Sequence, residues 1–256
     1  MQVKILMLGD VAGAPGMSAL FLGLSGLMKK TKADLCVING ENAAGGFGIS
    51  EDDYYAMKKY GADVITSGNH IWQKSEIYPL LDSKDDLLRP LNYPKGVMGH
   101  GVCTIQKNGV TYSVISLQGR VDMPVTDCPF RTVKDTVEKL KKTSDIILVD
   151  FHAESSLEKE AMGFWLDGSV TAVVGTHTHV QTMDEKILPG GTGYITDIGL
   201  TGVHGAVIGS KPEVSIERQL TQLPMKSEIA DEAGSVQGVL ITADSGSGKC
   251  ISIERI

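Results

Sequence analysis

The 256-residue chain has few cysteines, no long apolar run and a shortage of positive charge. Its four cysteines, Cys36, Cys103, Cys128 and Cys250, stand far apart without a C-x-x-C pair. That excludes a disulfide framework and fits a reducing cytoplasm. No stretch of 18 or more apolar residues occurs, so a transmembrane helix is not expected. The apolar start, Met1–Leu8, is too short for a signal peptide and is closed by Asp10. Lysine and arginine number 24 against 31 aspartates and glutamates, a net charge of −7. A duplex nucleic-acid partner, which demands cations to displace counterions, is therefore not expected. A small phosphate substrate stays possible, because a bound metal can supply positive charge locally.

What is present reads as a globular chain: 42% hydrophobic and 21% charged residues, with 30 glycines. A chain of this length buries roughly 70–75% of its unfolded surface on folding. Short apolar runs alternate with helical periodicity. Strands are expected at Val3–Leu8, Leu35–Ile38 and Val64–Thr66, with helices at Met17–Lys30, Glu51–Lys59 and Ser75–Leu81 between and after them. Gly101–Gln106 and Val110–Leu117 flank Asn108-Gly109, the signature of a type I′ hairpin. A helix over Arg131–Lys142 follows. Strands Ile146–Val149 and Ala172–Val174 enclose a helix at Leu157–Leu166, for which Ser155-Ser-Leu-Glu158 offers a capping box. Gly193–Thr196 reads as a strand, and Val236–Ala243 with Cys250–Ile256 as a second hairpin. No repeat or linker interrupts this pattern, so one domain over 1–256 with mixed sheets is expected.

The unusual polar residues fall at strand ends. Asp10 follows the first strand; Glu41 and Asn42 follow the second; Asn69 and His70 follow the third. His152 follows Ile146–Val149, and His177 and His179 follow Ala172–Val174. Ligands in open α/β sheets bind beyond the carboxyl ends of the strands. The intervals of 31 residues from Asp10 to Glu41 and 28 from Glu41 to Asn69 each match one strand-helix-strand step. Oxygen donors beside imidazoles suit manganese, iron or zinc better than calcium or magnesium alone. Seven candidates (Asp10, Glu41, Asn42, Asn69, His152, His177, His179) exceed the three protein ligands of a catalytic zinc. They suit two ions sharing a carboxylate, which together clamp the nucleophile and the phosphoryl oxygens of an in-line displacement.

These motifs resemble the successive motifs of the calcineurin-like metallophosphoesterases: Gly9-Asp10, Gly68-Asn-His70, His152 and Gly175-Thr-His-Thr-His179. More narrowly, the chain resembles the YmdB-type subfamily nearly end to end. The similarity runs through Ile38-Asn-Gly-Glu-Asn-Ala-Ala44, Gly68-Asn-His-Ile-Trp72, Asp150-Phe-His-Ala-Glu154, Leu188-Pro-Gly-Gly191, Tyr194-Ile-Thr-Asp197 and Leu220-Thr-Gln-Leu-Pro224. The resemblance implies a four-layer α/β/β/α sandwich with two mixed β-sheets and a dinuclear centre between them. It implies hydrolysis of 2′,3′-cyclic nucleotides or related small phosphodiesters, by attack of a metal-bridging water. One ion would take Asp10, Glu41, Asn42 and His179, and the other Glu41, Asn69, His152 and His177. It also suggests a homo-oligomer, dimer or tetramer. The chain departs from the broad superfamily at Asp10-Val11-Ala12, which lacks the usual Asp-x-His histidine, and at Glu41, which replaces a bridging aspartate. His70 is the expected catalytic residue that does not bind metal, protonating the leaving oxygen. Ile71 stands where the superfamily often has an acidic residue to orient it.

Other signals carry less. Gly246-Ser-Gly-Lys249 lacks the first P-loop glycine (Ala243 is there) and has Cys250 where Ser or Thr should follow, so a hairpin turn is expected. Gly45-Gly46-Phe47-Gly48 is expected to shape a loop at the site rim, and Trp72 to serve packing. Glu154 is either a partner of His152 or a solvated helix start. Competing functions are a phosphomonoesterase or phosphoprotein phosphatase at the same centre, a regulatory protein with a largely structural metal site, and a single-zinc amide hydrolase.

Overall fold

The computed structural model describes residues 1–256. Strand β1 (Gln2–Leu8) runs into the short strand β2 (Asp10–Val11), helix α1 (Gly13–Thr31), strand β3 (Leu35–Asn39), helix α2 (Glu51–Tyr60) and strand β4 (Val64–Thr66). Two 3-10 turns (Asn69–Gln73, Ser75–Ile77) precede helix α3 (Tyr78–Ser83). The hairpin β5 (Val102–Lys107) and β6 (Val110–Gln118) comes next. It is followed by α4 (Pro129–Leu140), β7 (Ile146–His152), α5 (Ser156–Leu166) and β8 (Ala172–Thr176). The chain ends with β9 (Lys186–Ile187), β10 (Gly193–Ile195), β11 (Leu200–Thr201), α6 (Pro212–Thr221), β12 (Gly238–Asp244) and β13 (Lys249–Arg255).

Two mixed sheets form, ordered β13-β12-β1-β3-β4 and β5-β6-β7-β8-β10-β9, with β11 and β2 as a small third pair. In the first, β1, β3 and β4 are parallel, β12 is antiparallel to β1, and the edge strand β13 is antiparallel to β12. In the second, β6, β7, β8 and β10 are parallel, flanked by antiparallel β5 and β9. Strand alternation assigns the layers. Val3, Ile5 and Met7 of β1 share one core with Tyr112, Val114, Ile146 and Leu148 of the other sheet. Leu6 and Leu8 turn the opposite way onto Leu20 and Leu24 of α1 and Met57 of α2. Ile147, Val149 and Phe151 turn onto Val133 and Val137 of α4 and Met162 of α5. The order of layers is helix, sheet, sheet, helix, the expected four-layer sandwich.

Local chemistry explains where boundaries moved. Helix α1 starts at Gly13, four residues before the expected Met17, because its first turn uses small residues. A Cβ at Gly16 would lie 2.4 Å from the Thr201 carbonyl oxygen, so close packing replaces the apolar stripe there. The expected continuous helix over Ser75–Leu81 is instead a 3-10 turn followed by α3. Pro79 has no N–H and its ring crowds the carbonyl four residues back. The hairpin turn holds: Asn108 and Gly109 have φ of 53° and 79°. The Ser155 box is only half made, since Ser155 accepts from Glu158 N–H while the Glu158 carboxylate turns to the N–H groups of Arg120 and Val121. A complete box sits unexpected at Ser50 and Asp53 of α2; such a cap stabilises a helix by about 1 kcal/mol.

Candidate metal centre

The expected donors come from both sheets rather than one edge. Asp10, Glu41, Asn42, Asn69 and His70 arrive from the carboxyl ends of the first sheet, and His152, His177 and His179 from those of the second. Seven of them touch one another where these ends face each other, and Asn69 immediately precedes His70. Asp10, Glu41 and His152 are completely buried. Close approach requires glycine at Gly68: a Cβ there would lie 2.1 Å from the His152 ring and 2.2 Å from Glu41 Oε2.

Three imidazoles share one arrangement. His152 Nε2 lies 3.0 Å from Glu41 Oε1 and 3.0 Å from His177 Nδ1. Its other nitrogen, Nδ1, lies 2.9 Å from Thr176 Oγ1. The Thr176 hydroxyl donates its one hydrogen to Asp150 Oδ1 at 2.7 Å, so His152 Nδ1–H must be the donor there and Nε2 is the nitrogen that faces Glu41. His177 Nε2 lies 3.2 Å from Glu154 Oε2, leaving Nδ1 turned inward. His179 Nδ1 donates to the Ile208 carbonyl at 2.9 Å, leaving Nε2 3.0 Å from the Asn42 amide nitrogen. Each ring is thus secured on its outer nitrogen by oxygen and presents the other inward, as imidazole ligands of metals do. Glu154 therefore partners His177 rather than His152.

The carboxylates complete the donor set. One ligand atom from each of Glu41, His152 and His177 lies within 4.8 Å of the others, close enough to hold one ion. Asp10 Oδ2 accepts His177 N–H at 3.0 Å, while Asp10 Oδ1 and Asn69 Oδ1 are buried without any hydrogen-bond partner. Leaving buried acceptors unpaired costs about 1–3 kcal/mol each; with Asp10 Oδ1 3.7 Å from the His152 ring and Asn69 next to His70, cations bound here would relieve that cost. Burial raises the Asp10 carboxyl, opposed by His152 and His179. Burial also works against Glu41, but the His152 and His70 imidazoles beside it hold its carboxyl well below the usual range. His152 is lifted to about 9 because Glu41 outweighs the desolvation of its imidazolium. His177 is pushed down to about 3, first by burial and then by His152.

His70 finds the orienting partners that Ile71 could not provide. Its Nδ1 lies 2.7 Å from Asn42 Oδ1 and 3.2 Å from Glu41 Oε1, and its ring meets Phe47 edge-on at 5.1 Å. The Asn42 carbonyl oxygen is thus engaged by His70 while its amide nitrogen faces His179. As a metal ligand toward His179, Asn42 would turn its amide over, exchanging oxygen and nitrogen.

A cleft of about 280 Å³ opens onto these groups, lined by Gly46 and Phe47 of the expected rim loop and by Glu154. Ile208, Ser210, Ser227 and Ile229 also line it. These four come from the long excursion between β11 and β12, and no spacing signal in the sequence assigned them to the site. Backbone strain gathers here too: His177, His179 and Ile208 have φ of 103°, 61° and 47°. Such conformations persist only where surrounding structure enforces them. Trp72 lies away from this cleft, packed edge-on against Tyr78 and Tyr93, as expected.

Two layers of helix around two facing sheets, with carboxylate, carboxamide and imidazole donors at the strand ends, define the metallophosphoesterase class. NAD nucleotidase of Haemophilus influenzae shares this fold at 14% identity, with a TM-score of 0.60 over all of this chain and 55% of its own. Residues 6–256 match the family model described as YmdB-like protein, and the chain belongs to that family. It is 43% identical over 254 residues to the 2′,3′-cyclic-nucleotide 2′-phosphodiesterase of Bacillus subtilis, covering 99% of this chain and 96% of that one. The crystal structure of a novel phosphatase from Mycoplasma pneumoniae superposes with a TM-score of 0.93 at 35% identity, covering 100% and 93% of the two chains.

Proposed function

We infer that this protein is a metal-dependent phosphodiesterase that hydrolyses 2′,3′-cyclic nucleotides or related small phosphodiesters. The observation that carries the reading is the trio of imidazoles held on their outer nitrogens and turned inward upon buried carboxylates. Similarity to the Bacillus subtilis phosphodiesterase over nearly the whole of both chains supports the substrate class. Glu41 would bridge two ions, with Asp10, Asn42 and His179 completing one site and Asn69, His152 and His177 the other. The mixed donors favour manganese or iron, with zinc also suited. When bound, the ions neutralise phosphoryl oxygens and acidify water to a nucleophile at neutral pH.

The protein's own groups supply the rest. His70, held at Nδ1 by the Glu41 carboxylate 3.2 Å away, would present Nε2–H to the departing ribose oxygen. Gly68 keeps His152 and Glu41 in contact, and the Thr176, Glu154 and Ile208 oxygens hold the three imidazoles in register. Phe47, Ile208 and Ile229 give the cleft apolar walls beside Ser210 and Ser227, a setting for one nucleotide. A cytoplasmic homo-oligomer fits the same reading: all four cysteines are free, no helix is long and apolar enough to cross a membrane, and Phe21, Leu22, Leu220 and Leu223 stand exposed.

The alternative, monoester hydrolysis at the same centre, is supported by the description of the Mycoplasma pneumoniae relative as a phosphatase. Steady-state turnover of 2′,3′-cyclic AMP, bis-p-nitrophenyl phosphate and p-nitrophenyl phosphate by Mn-loaded protein separates the two. Turnover of 2′,3′-cyclic AMP that Glu41→Gln and His70→Ala both suppress is expected. Turnover of the monoester alone would overturn the substrate class.

A further inference from the structure

Beneath the His-x-His segment lies a buried ion pair that no step above uses. Lys159 of α5 and Asp197, just after β10, are 1% and 0% exposed, with Lys159 Nζ donating to Asp197 Oδ2 at 2.8 Å. The same oxygen accepts Thr178 N–H at 3.1 Å and the Thr178 hydroxyl at 2.8 Å. Thr178 is the residue between His177 and His179, whose φ angles are both positive. The other carboxylate oxygen, Oδ1, accepts Gly199 N–H at 2.8 Å, immediately before β11. That strand pairs with β2 in the register Leu200 to Asp10. Asp197 is held in turn: its N–H donates to Thr182 Oγ1 at 3.0 Å, and its carbonyl accepts Thr182 N–H at 3.0 Å. Glycine at Gly175 admits the lysine stem, since a Cβ there would lie 2.9 Å from Lys159 Cδ and 1.7 Å from the Thr196 carbonyl oxygen.

We propose that Asp197, charge-compensated by Lys159, is the positioning residue of the metal centre. One oxygen pins the strained backbone that carries His177 and His179, and the other fixes the start of β11, the strand paired with the one that carries Asp10. Donors from both sheets are thereby referenced to a single buried carboxylate. Groups that orient metal ligands from behind typically cost 10–100-fold in metal affinity when removed.

The inference rests on the metal reading of the site, and two readouts keep the failures apart. The first is amide hydrogen exchange over residues 176–181 in metal-free protein. The second is Mn²⁺ affinity and stoichiometry by titration calorimetry. Thr178→Val removes one tether while leaving the ion pair intact, and Asp197→Asn weakens all of them. Asp167→Asn serves as the control. It cuts carboxylate bonds to the N–H groups of Gly190 and Thr192, at the opposite end of the same sheet. Expected are faster exchange across 176–181 and Mn²⁺ binding weakened about 10-fold in Thr178→Val and up to about 100-fold in Asp197→Asn. Asp167→Asn should lower the melting temperature and leave Mn²⁺ affinity within about twofold of wild type, inside the range expected when no ligand orientation changes. If Asp197→Asn does not fold, Thr178→Val decides alone. Mn²⁺ affinity unchanged in Thr178→Val despite faster loop exchange would overturn the positioning role. Equal loss of Mn²⁺ in Asp167→Asn would reduce it to general stability. A wild type that binds no Mn²⁺ would overturn the metal reading itself, and this inference with it.

Discussion

Two polar cavities of similar size lie at opposite ends of the sheets, and only one has the makings of a site. The cleft at the carboxyl ends of the central strands is about 280 Å³, and a cavity at the other end, lined by Asp145, Gly168, Gly190 and Ser245–Lys249, is about 240 Å³. At the second cavity the lining carboxylate of Asp145 and the neighbouring Asp167 and Asp244 are already engaged. Asp145 accepts Thr111 N–H, Asp167 accepts Gly190 N–H, and Asp244 accepts Ser247 N–H together with the chain's own amino terminus. Its glycine-rich segment is the turn between β12 and β13, as the failed P-loop match implied. At the cleft, by contrast, buried oxygens of Asp10 and Asn69 lack partners and the backbone is strained at both His177 and His179. Polarity and glycine content do not separate the two ends; unsatisfied buried acceptors and enforced strain do.

That contrast breaks most sharply at the shared carboxylate. Glu41→Gln should abolish phosphodiester hydrolysis and lower the bound metal below two ions per chain, as measured by turnover and elemental analysis. Activity retained near the wild-type level would place the chemistry elsewhere. His70→Ala should keep full metal content but reduce kcat on 2′,3′-cyclic AMP by about 10²–10⁴-fold. The reduction should be much smaller on bis-p-nitrophenyl phosphate, whose leaving group needs no proton. An equal loss on both substrates would argue against His70 as the acid.

Chelation should act on stability as well as rate. Metal at 100 times its Kd stabilises the folded state by about 2.7 kcal/mol, so EDTA should lower the melting temperature and Mn²⁺ should restore it. A melting temperature indifferent to both would mean the donors hold no ion. The smallest effect belongs to the opposite end. Asp244→Ala should lower the melting temperature by a few degrees at neutral pH without changing turnover. Hydrogen bonds from Ser247 and the amino terminus depress the Asp244 carboxyl to about 2. A depressed carboxyl stabilises above its unfolded value, near 3.9, and loses that contribution as pH falls through the folded one. The difference between wild type and Asp244→Ala should therefore be full above about pH 4 and vanish as pH approaches about 2. A difference that persists unchanged at the acid end would contradict the tether.

Much of the fold was legible because strand alternation and strand-helix spacing are local. Val3, Ile5 and Met7 against Leu6 and Leu8 already encode two faces, and Asn108-Gly109 encodes its own turn. The candidate donors were legible for a related reason: each stands at the end of a strand, where topology gathers side chains. What sequence could not supply depends on contacts across long separations. Asn42 as the partner of His70, Ile208 as the acceptor for His179, and Asp197 beneath Thr178 all emerge only when distant segments are folded together. Glu154 illustrates the limit well, since its chain neighbour His152 drew it one way and the fold turned it to His177.

The most direct test of this account is elemental analysis of metal bound per folded chain, after reconstitution of metal-free protein with Mn²⁺ and removal of excess. The account predicts two ions per chain, falling in Glu41→Gln. One ion per chain would contradict a shared bridging carboxylate and favour single-metal hydrolytic chemistry, and none would leave the inward-facing imidazoles without the role assigned to them.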